Sequence, residues 1–347
     1  MSDAIRPNSL PGEINAATRT LHTNLNRLVT SRLPLGLPPH TPDPTLYTTG
    51  LLHFAHIYLT FESLWADQLP ALSNPPTSPL LSFLLVDPWD ASESSSPPPS
   101  PRMLEFLQTI RPKGLARSGR LKRDLEMLTG FHGTDLSVLL SQFPGQKVQE
   151  YCTHIRKVVR EKPHVLVAYA WCFYMAVFSG GRWIRSELFK GGEEFWRSGT
   201  LINGKGRSRD DETVVSLEEK GLSFWHFDGV ADGEDIKAEF KRRLGAAEDL
   251  FTPQERADVI EEAKEVFKFS AGLVQELDEK LGTDMEKLRG AERARLKTEA
   301  GDTKQVALVV APSFVTWYRR PEVTGAAIAL GCLACVAILR FDPRGVF

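Results

Sequence analysis

The chain has 347 residues, 42% hydrophobic and 25% charged, with a formal net charge of −2. This is globular composition, and it lacks the basic excess of a dedicated nucleic-acid binder, so no nucleic-acid partner is expected. Four cysteines (152, 172, 332 and 335) form no disulfide framework, which points to a reducing compartment.

The opening MSDAIRPNSLPGEI is polar and has no apolar signal core, so residues 1–8 read as a tail. Ser9 is placed to cap a first helix with Pro11 in its first turn, a helix whose period puts Ile14, Thr18, His22, Leu25 and Val29 on one face. A second, nearly continuous apolar helix is predicted from Leu46 to Leu69 and carries His53, His56 and Tyr58. DPWDASESSSPPPSP (87–101) is Ser/Pro-rich and reads as a flexible insertion. Helices follow over Arg120–Leu128, Gly145–Glu161 and His164–Phe189. A mixed Gly and charged stretch (199–221) reads as a second, solvated insertion. Gly233–Leu244 and Thr252–Leu281 complete the helical set, the last opened by Thr252-Pro253 with Glu255 at capping-box distance. Alternating strand patterns are scarce, so the expected fold is all-α, one multi-helix domain over residues 9–282.

Beyond it, residues 283–318 are charged and read as a tether. Residues 323–339, VTGAAIALGCLACVAIL, run 17 residues without a charge, flanked by Trp317, Tyr318, Arg319, Arg320 and Arg340. This predicts a C-terminal transmembrane helix within a tail anchor (319–347), the bulk of the chain facing the cytosol. Its length of roughly 25 Å suits the thin endoplasmic-reticulum bilayer. Cys332 and Cys335 read there as small lipid-facing residues.

Three features carry possible chemistry. His22 is a lone histidine on a half-apolar helix face, a core residue or a ligand. Ser179-Gly180-Gly181 interrupts the best-patterned helix at a cost of about 1 kcal/mol per glycine. That cost fits either a close helix crossing or a flat ligand laid against bare backbone. Lys237 and Lys241 share one helix face with Arg243 nearby, which suits a solvated basic surface or a pair of carboxylates.

Taken in order, NAATRTLHTNLNRLV, LLHFAHIYLTFESLW, AYAWCFYMAVFSGGRWIRSEL and GLSFWHFDG followed by DIKAEFKRRL and TPQERADVIEEAKEVF resemble the successive helices of heme oxygenases. The resemblance implies heme held between a proximal and a distal helix, acting as both cofactor and substrate. His22 would be the axial iron ligand, and Gly180 and Gly181 the distal bend over the ring. Lys237 and Lys241 would hold the propionates, with Arg19 beside the ligand, and Tyr58 and Ser179 would belong to the distal pocket. It implies cleavage to biliverdin, CO and ferrous iron with O₂ and electrons from an NADPH-cytochrome reductase.

The motif departs from the family at the distal side. The position two before Ser179, an aspartate in the family, is Val177, which cannot accept a hydrogen bond. Ala176 stands where the family has a second distal glycine, Asn26 replaces an acidic residue near the ligand, and Asn15 replaces a propionate-side lysine. Two functions follow: a membrane-tethered heme oxygenase whose proton-delivering water is anchored by Tyr58, Ser179, Arg182 or backbone carbonyls, or a heme-binding carrier or sensor with little ring opening. A helical scaffold without heme is a third.

Overall fold

The computed structural model describes residues 8–67, 100–197, 216–219 and 221–283, within one compact unit, Met1–Thr283. Residues 1–7, most of both insertions, the tether and the anchor with its span at 323–339 lie outside the described residues. Every regular element among those described is helical: α1 (Leu10–Arg32), α2 (Thr45–Asp67), α3 (Pro101–Thr109), α4 (Ser118–Thr129), α5 (Gly133–Ser141) and α6 (Gln146–Glu161). Then come α7 (Leu166–Tyr169), a π-helical turn (Ala170–Tyr174) and α8 (Met175–Phe189), which run on as one rod, followed by α9 (Gly192–Arg197), α10 (Glu234–Ala246) and α11 (Pro253–Leu281).

The caps read from the sequence close as hydrogen bonds. Ser9 Oγ accepts from Gly12 N at 3.2 Å. Thr252 and Glu255 form the full capping box that starts α11. α1 lies along α11 with rising register: Arg256 pairs with Glu13 at 2.9 Å, His22 packs edge-on against Phe267, and Arg32 pairs with Asp278 at 2.7 Å. The two helices therefore run in the same direction. α2 buries Ala55, Ile57, Phe61 and Trp65 on several sides, as a central helix must, between α6 and α4.

Three expectations change. Gly180 and Gly181 do not break their helix, since α8 is regular from Met175 to Phe189. The irregularity lies upstream at Ala170–Tyr174, where no glycine stands. There three aromatic side chains within four residues need different partners: Trp171 meets Asn15 and Phe240, Phe173 meets Tyr58 and Phe61, and Tyr174 bonds Glu62. A wider turn changes the register to suit them. The end of the Pro-rich insertion is already helix: Ser100 Oγ caps α3 by accepting from Met103 N at 3.2 Å, and Pro101 opens its first turn.

The second insertion likewise ends inside the core. Leu217 is buried, and Gly221 (φ 112°) donates to Asp124 Oδ1 at 2.8 Å. The buried Asp124 carboxylate also accepts from the backbone amides of Ser223 and Phe224, which fixes the 223–225 turn beneath α8. Pro163–Phe189, the one described helix long and apolar enough to cross a membrane, is a core helix, with 78% of its apolar window inside the fold.

Candidate functional site

The start of the rod also lies along α11 with rising register, through His164–Asp258 at 3.2 Å and the Tyr169–Glu262 hydrogen bond. α1 and the rod thus run in one direction, and they meet where Trp171 Nε1 donates to Asn15 Oδ1 at 3.0 Å. Past that point α8 packs on α10 and the 223–225 turn. Beyond it, α1 carries the exposed His22 and α8 the exposed Ala176 and Ser179. His22 lies seven residues beyond Asn15 and Gly180 nine beyond Trp171, or roughly 10 and 13 Å along their axes. The histidine and the glycine therefore stand at similar depth.

On α1, His22 is exposed and its ring is held by an edge-on contact with Phe267, centroids 5.6 Å apart. Among the described residues, no hydrogen bond engages either ring nitrogen. Arg19 and Asn26, one turn to either side, are exposed as well.

On α8 the two glycines part ways. A Cβ on Gly180 would meet nothing within 4 Å, whereas one on Gly181 would stand 3.1 Å from Trp225 Cε3. Gly181 is a close-packing glycine and Gly180 is open backbone. Ala176 and Ser179 are exposed, Gly180 is half-buried, and Trp183 follows at 40% exposure, so this face has the 3–4 spacing of one helix side. Val177, at 2% exposure, faces the core.

Tyr58 is on that core side too. Its ring packs among Phe61, Phe173 and Phe224, and its hydroxyl donates to the Phe173 carbonyl at 3.2 Å. Burial, and then the charge of Glu62, hold its pKa well above the tyrosine range. Arg182 is committed to Glu234 at 2.6 Å and to the Asp232 carbonyl at 3.0 Å, which ties α8 to the start of α10.

On α10, Phe240 is fully buried against Trp171, with Lys237 and Lys241 flanking it on the same side. Lys237 Nζ is 3.4 Å from Glu234, and among the described residues Lys241 has no carboxylate within ion-pair reach. Arg243, expected beside them, instead bonds Glu239 and the Thr109 carbonyl on the far side.

Sequence spacing pointed to neither the role of Trp171 nor that of Asn15. Asn15 reads in the sequence only as a lost lysine, yet it is the acceptor for a buried indole. No local pattern signals a hydrogen bond between residues 156 positions apart. Among the described residues no group of three metal-ligating side chains gathers. Among the described residues, α1, α8 and α10 thus present an imidazole without a hydrogen-bond partner, a backbone face open at Gly180 and an ammonium without an ion pair. That donor set fits a flat iron macrocycle carrying carboxylates.

The heme oxygenase family model matches residues 103–276, half of the chain. The chain belongs to the heme oxygenase family. The matched span takes in α8 and α10 and begins after α1. Among curated relatives, heme-binding protein HMX1 of Saccharomyces cerevisiae is 23% identical over 280 residues, covering 78% of this chain and 76% of the yeast protein. Heme oxygenase 1 of Homo sapiens is 27% identical over 179 residues, 52% of each chain. Heme oxygenase of Takifugu rubripes is also 27% identical, over 54% of this chain and 57% of its own. The chain thus spans little more than half the length of these vertebrate relatives.

The fold matches heme oxygenase-2 of Synechocystis in complex with heme and NO, with a TM-score of 0.54 at 14% identity over 81% of this chain and 91% of that one. It also matches heme oxygenase 2 of Chlamydomonas reinhardtii without heme, at 0.50 and 18% identity over 77% and 97%.

Proposed function

We propose that this protein binds heme between α1 and α8 and cleaves it to biliverdin, CO and ferrous iron, with O₂ and electrons from an NADPH-cytochrome reductase. The observation that carries the reading is the unengaged His22 imidazole at the depth of Gly180, whose backbone face is open to 4 Å. His22 would supply the axial nitrogen, its ring angle held by Phe267. Asn26 offers an amide carbonyl rather than a carboxylate near that imidazole, so it lends the ligand less basicity. Gly180 lets a planar ring approach the helix, and Ala176 and Ser179 add little bulk on the same face. Lys241, with Lys237 and Arg19, would hold the carboxylates by charge-assisted hydrogen bonds. Bound heme supplies the iron that takes up O₂ and the carbon that is oxidised. In this reading the exposed Ser179 hydroxyl would orient water that delivers protons, while Tyr58 holds the rod from behind.

Val177 favours a second reading, a heme-binding protein with little ring opening, because the core side of α8 at that position carries no group able to accept a hydrogen bond. The yeast relative is itself named a heme-binding protein. Titration with ferric heme, then NADPH, a cytochrome reductase and O₂, separates the two. Loss of the Soret band with CO release establishes cleavage, and a persistent heme complex establishes binding alone. Failure to take up heme refutes both.

The apolar run at 323–339 is part of the same proposal: it holds the protein on the endoplasmic-reticulum membrane with the helical domain in the cytosol. Recovery of the full chain in the carbonate-soluble fraction of a cell lysate would refute it.

A further inference from the structure

Trp171 sits in the π-helical turn at 3% exposure. Its indole N–H donates to Asn15 Oδ1 on α1 at 3.0 Å, and its ring lies over Phe240 of α10, centroids 6.3 Å apart and planes 27° from parallel. One side chain thus joins the rod to both α1 and α10. A buried indole N–H needs an acceptor, and the one it finds stands on a different helix and is exposed on its other side. The π turn makes this possible: its change of register sends Trp171 toward α1 while Phe173 and Tyr174 still reach their partners in the core.

We propose that the Trp171–Asn15 hydrogen bond is a clasp that sets how far α1 stands from the rod. It thereby positions His22 against Gly180 and slows escape of a bound macrocycle. The inference rests on the heme-binding reading above and adds to it a positioning residue that touches neither iron nor O₂. α1 is already held along α11 at Glu13, His22 and Arg32, so loss of the clasp leaves the helix docked on its other side. What changes is the spacing of α1 and α8. Seven residues separate the clasp from His22, so a small rotation of α1 at Asn15 reaches the ligand nearly undiminished.

Trp171→Phe keeps the stack on Phe240 and removes the donor. Asn15→Leu keeps the volume and removes the acceptor, and Asn15→Asp keeps an acceptor. In the full chain, Trp171→Phe and Asn15→Leu are each expected to speed transfer of heme to excess apomyoglobin by about fivefold, the worth of one neutral hydrogen bond, and the double variant by no more than either. Both should raise amide exchange over residues 12–26 of the heme-free protein, while Asn15→Asp behaves as the unmodified chain. The proposal is overturned if Asn15→Leu exchanges and releases heme like the unmodified chain, or if the two single effects multiply in the double variant. If the unmodified chain takes up no heme, the proposed function fails, and amide exchange of α1 alone then decides the clasp.

Discussion

Replacing Gly180 by Ala should make the heme-free protein more stable and the heme complex weaker. Ala is favoured over Gly in a helix interior by about 0.8–1 kcal/mol, and nothing within 4 Å of the new methyl opposes that gain. In a domain of this size about 1 kcal/mol raises the melting temperature by roughly 2–4 °C. The same methyl projects to where the ring would lie. Overpacking a fitted surface by one carbon costs about 1–3 kcal/mol, so heme affinity should fall by about tenfold or more.

Gly181→Ala is the control. It has the same propensity gain, but its methyl meets Trp225 at 3.1 Å, and that indole is pinned by its N–H bond to the Tyr47 hydroxyl at 2.9 Å. The ring must yield a few tenths of an ångström or strain a bond worth about 1 kcal/mol, so the net change in stability should be near zero or negative. Calorimetric melting of the heme-free variants and Soret titration of each measure both quantities. A Gly180→Ala protein that melts below the unmodified chain would refute the open-face geometry. One that is stabilised yet binds heme as tightly would remove Gly180 from the site.

His22→Ala should abolish the axial-imidazole signature of the ferric heme complex in electron paramagnetic resonance, and added imidazole should restore it; an unchanged spectrum removes His22 as ligand. Lys241→Ala should weaken heme binding by about fivefold, more than Lys237→Ala, whose ammonium already has Glu234, and the difference should shrink in high salt. Equal losses at all salt concentrations would refute the assignment. Val177→Asp puts a carboxylate at a position 2% exposed and should destabilise the fold by about 3 kcal/mol or more, seen as a lowered melting temperature. An unchanged melting temperature would show that water reaches that side of α8.

The hydrogen bond that His154 Nε2–H donates to the Glu262 carboxylate raises the pKa of this half-buried ring. The protonated ring therefore contributes stability fully below about pH 6.5, the unfolded value, and that contribution fades as pH rises through the higher folded value. His154→Gln should thus lose most in melting temperature near about pH 6 and least near about pH 9. A deficit that does not vary with pH would mean the ring acts by packing alone.

Most helices were legible because their signals are local. An apolar face at helical period, Ser9 before Pro11, and Thr252 three residues ahead of Glu255 act within one or two turns, and each closes as read. α5 and α9 escaped notice because each is short. α3 escaped entirely, because its cap residues Ser100 and Pro101 end a Pro-rich run. Gly221 escaped because its core neighbours, Met127 and Asp124, are far away in sequence.

The candidate site divides in the same way. The residue types a heme site needs, a histidine, a glycine pair and two lysines one turn apart, were visible in order along the chain. Which glycine is open and which is packed depends on Trp225, 44 residues beyond Gly181, and no spacing rule reaches that far. That Val177 faces the core, that Arg182 and Arg243 are committed elsewhere, and that Asn15 holds Trp171 were likewise decided only in the folded chain. Local hydrogen bonds and periodicity are written in neighbouring residues. The face a residue turns to a ligand is set by the helices that close behind it.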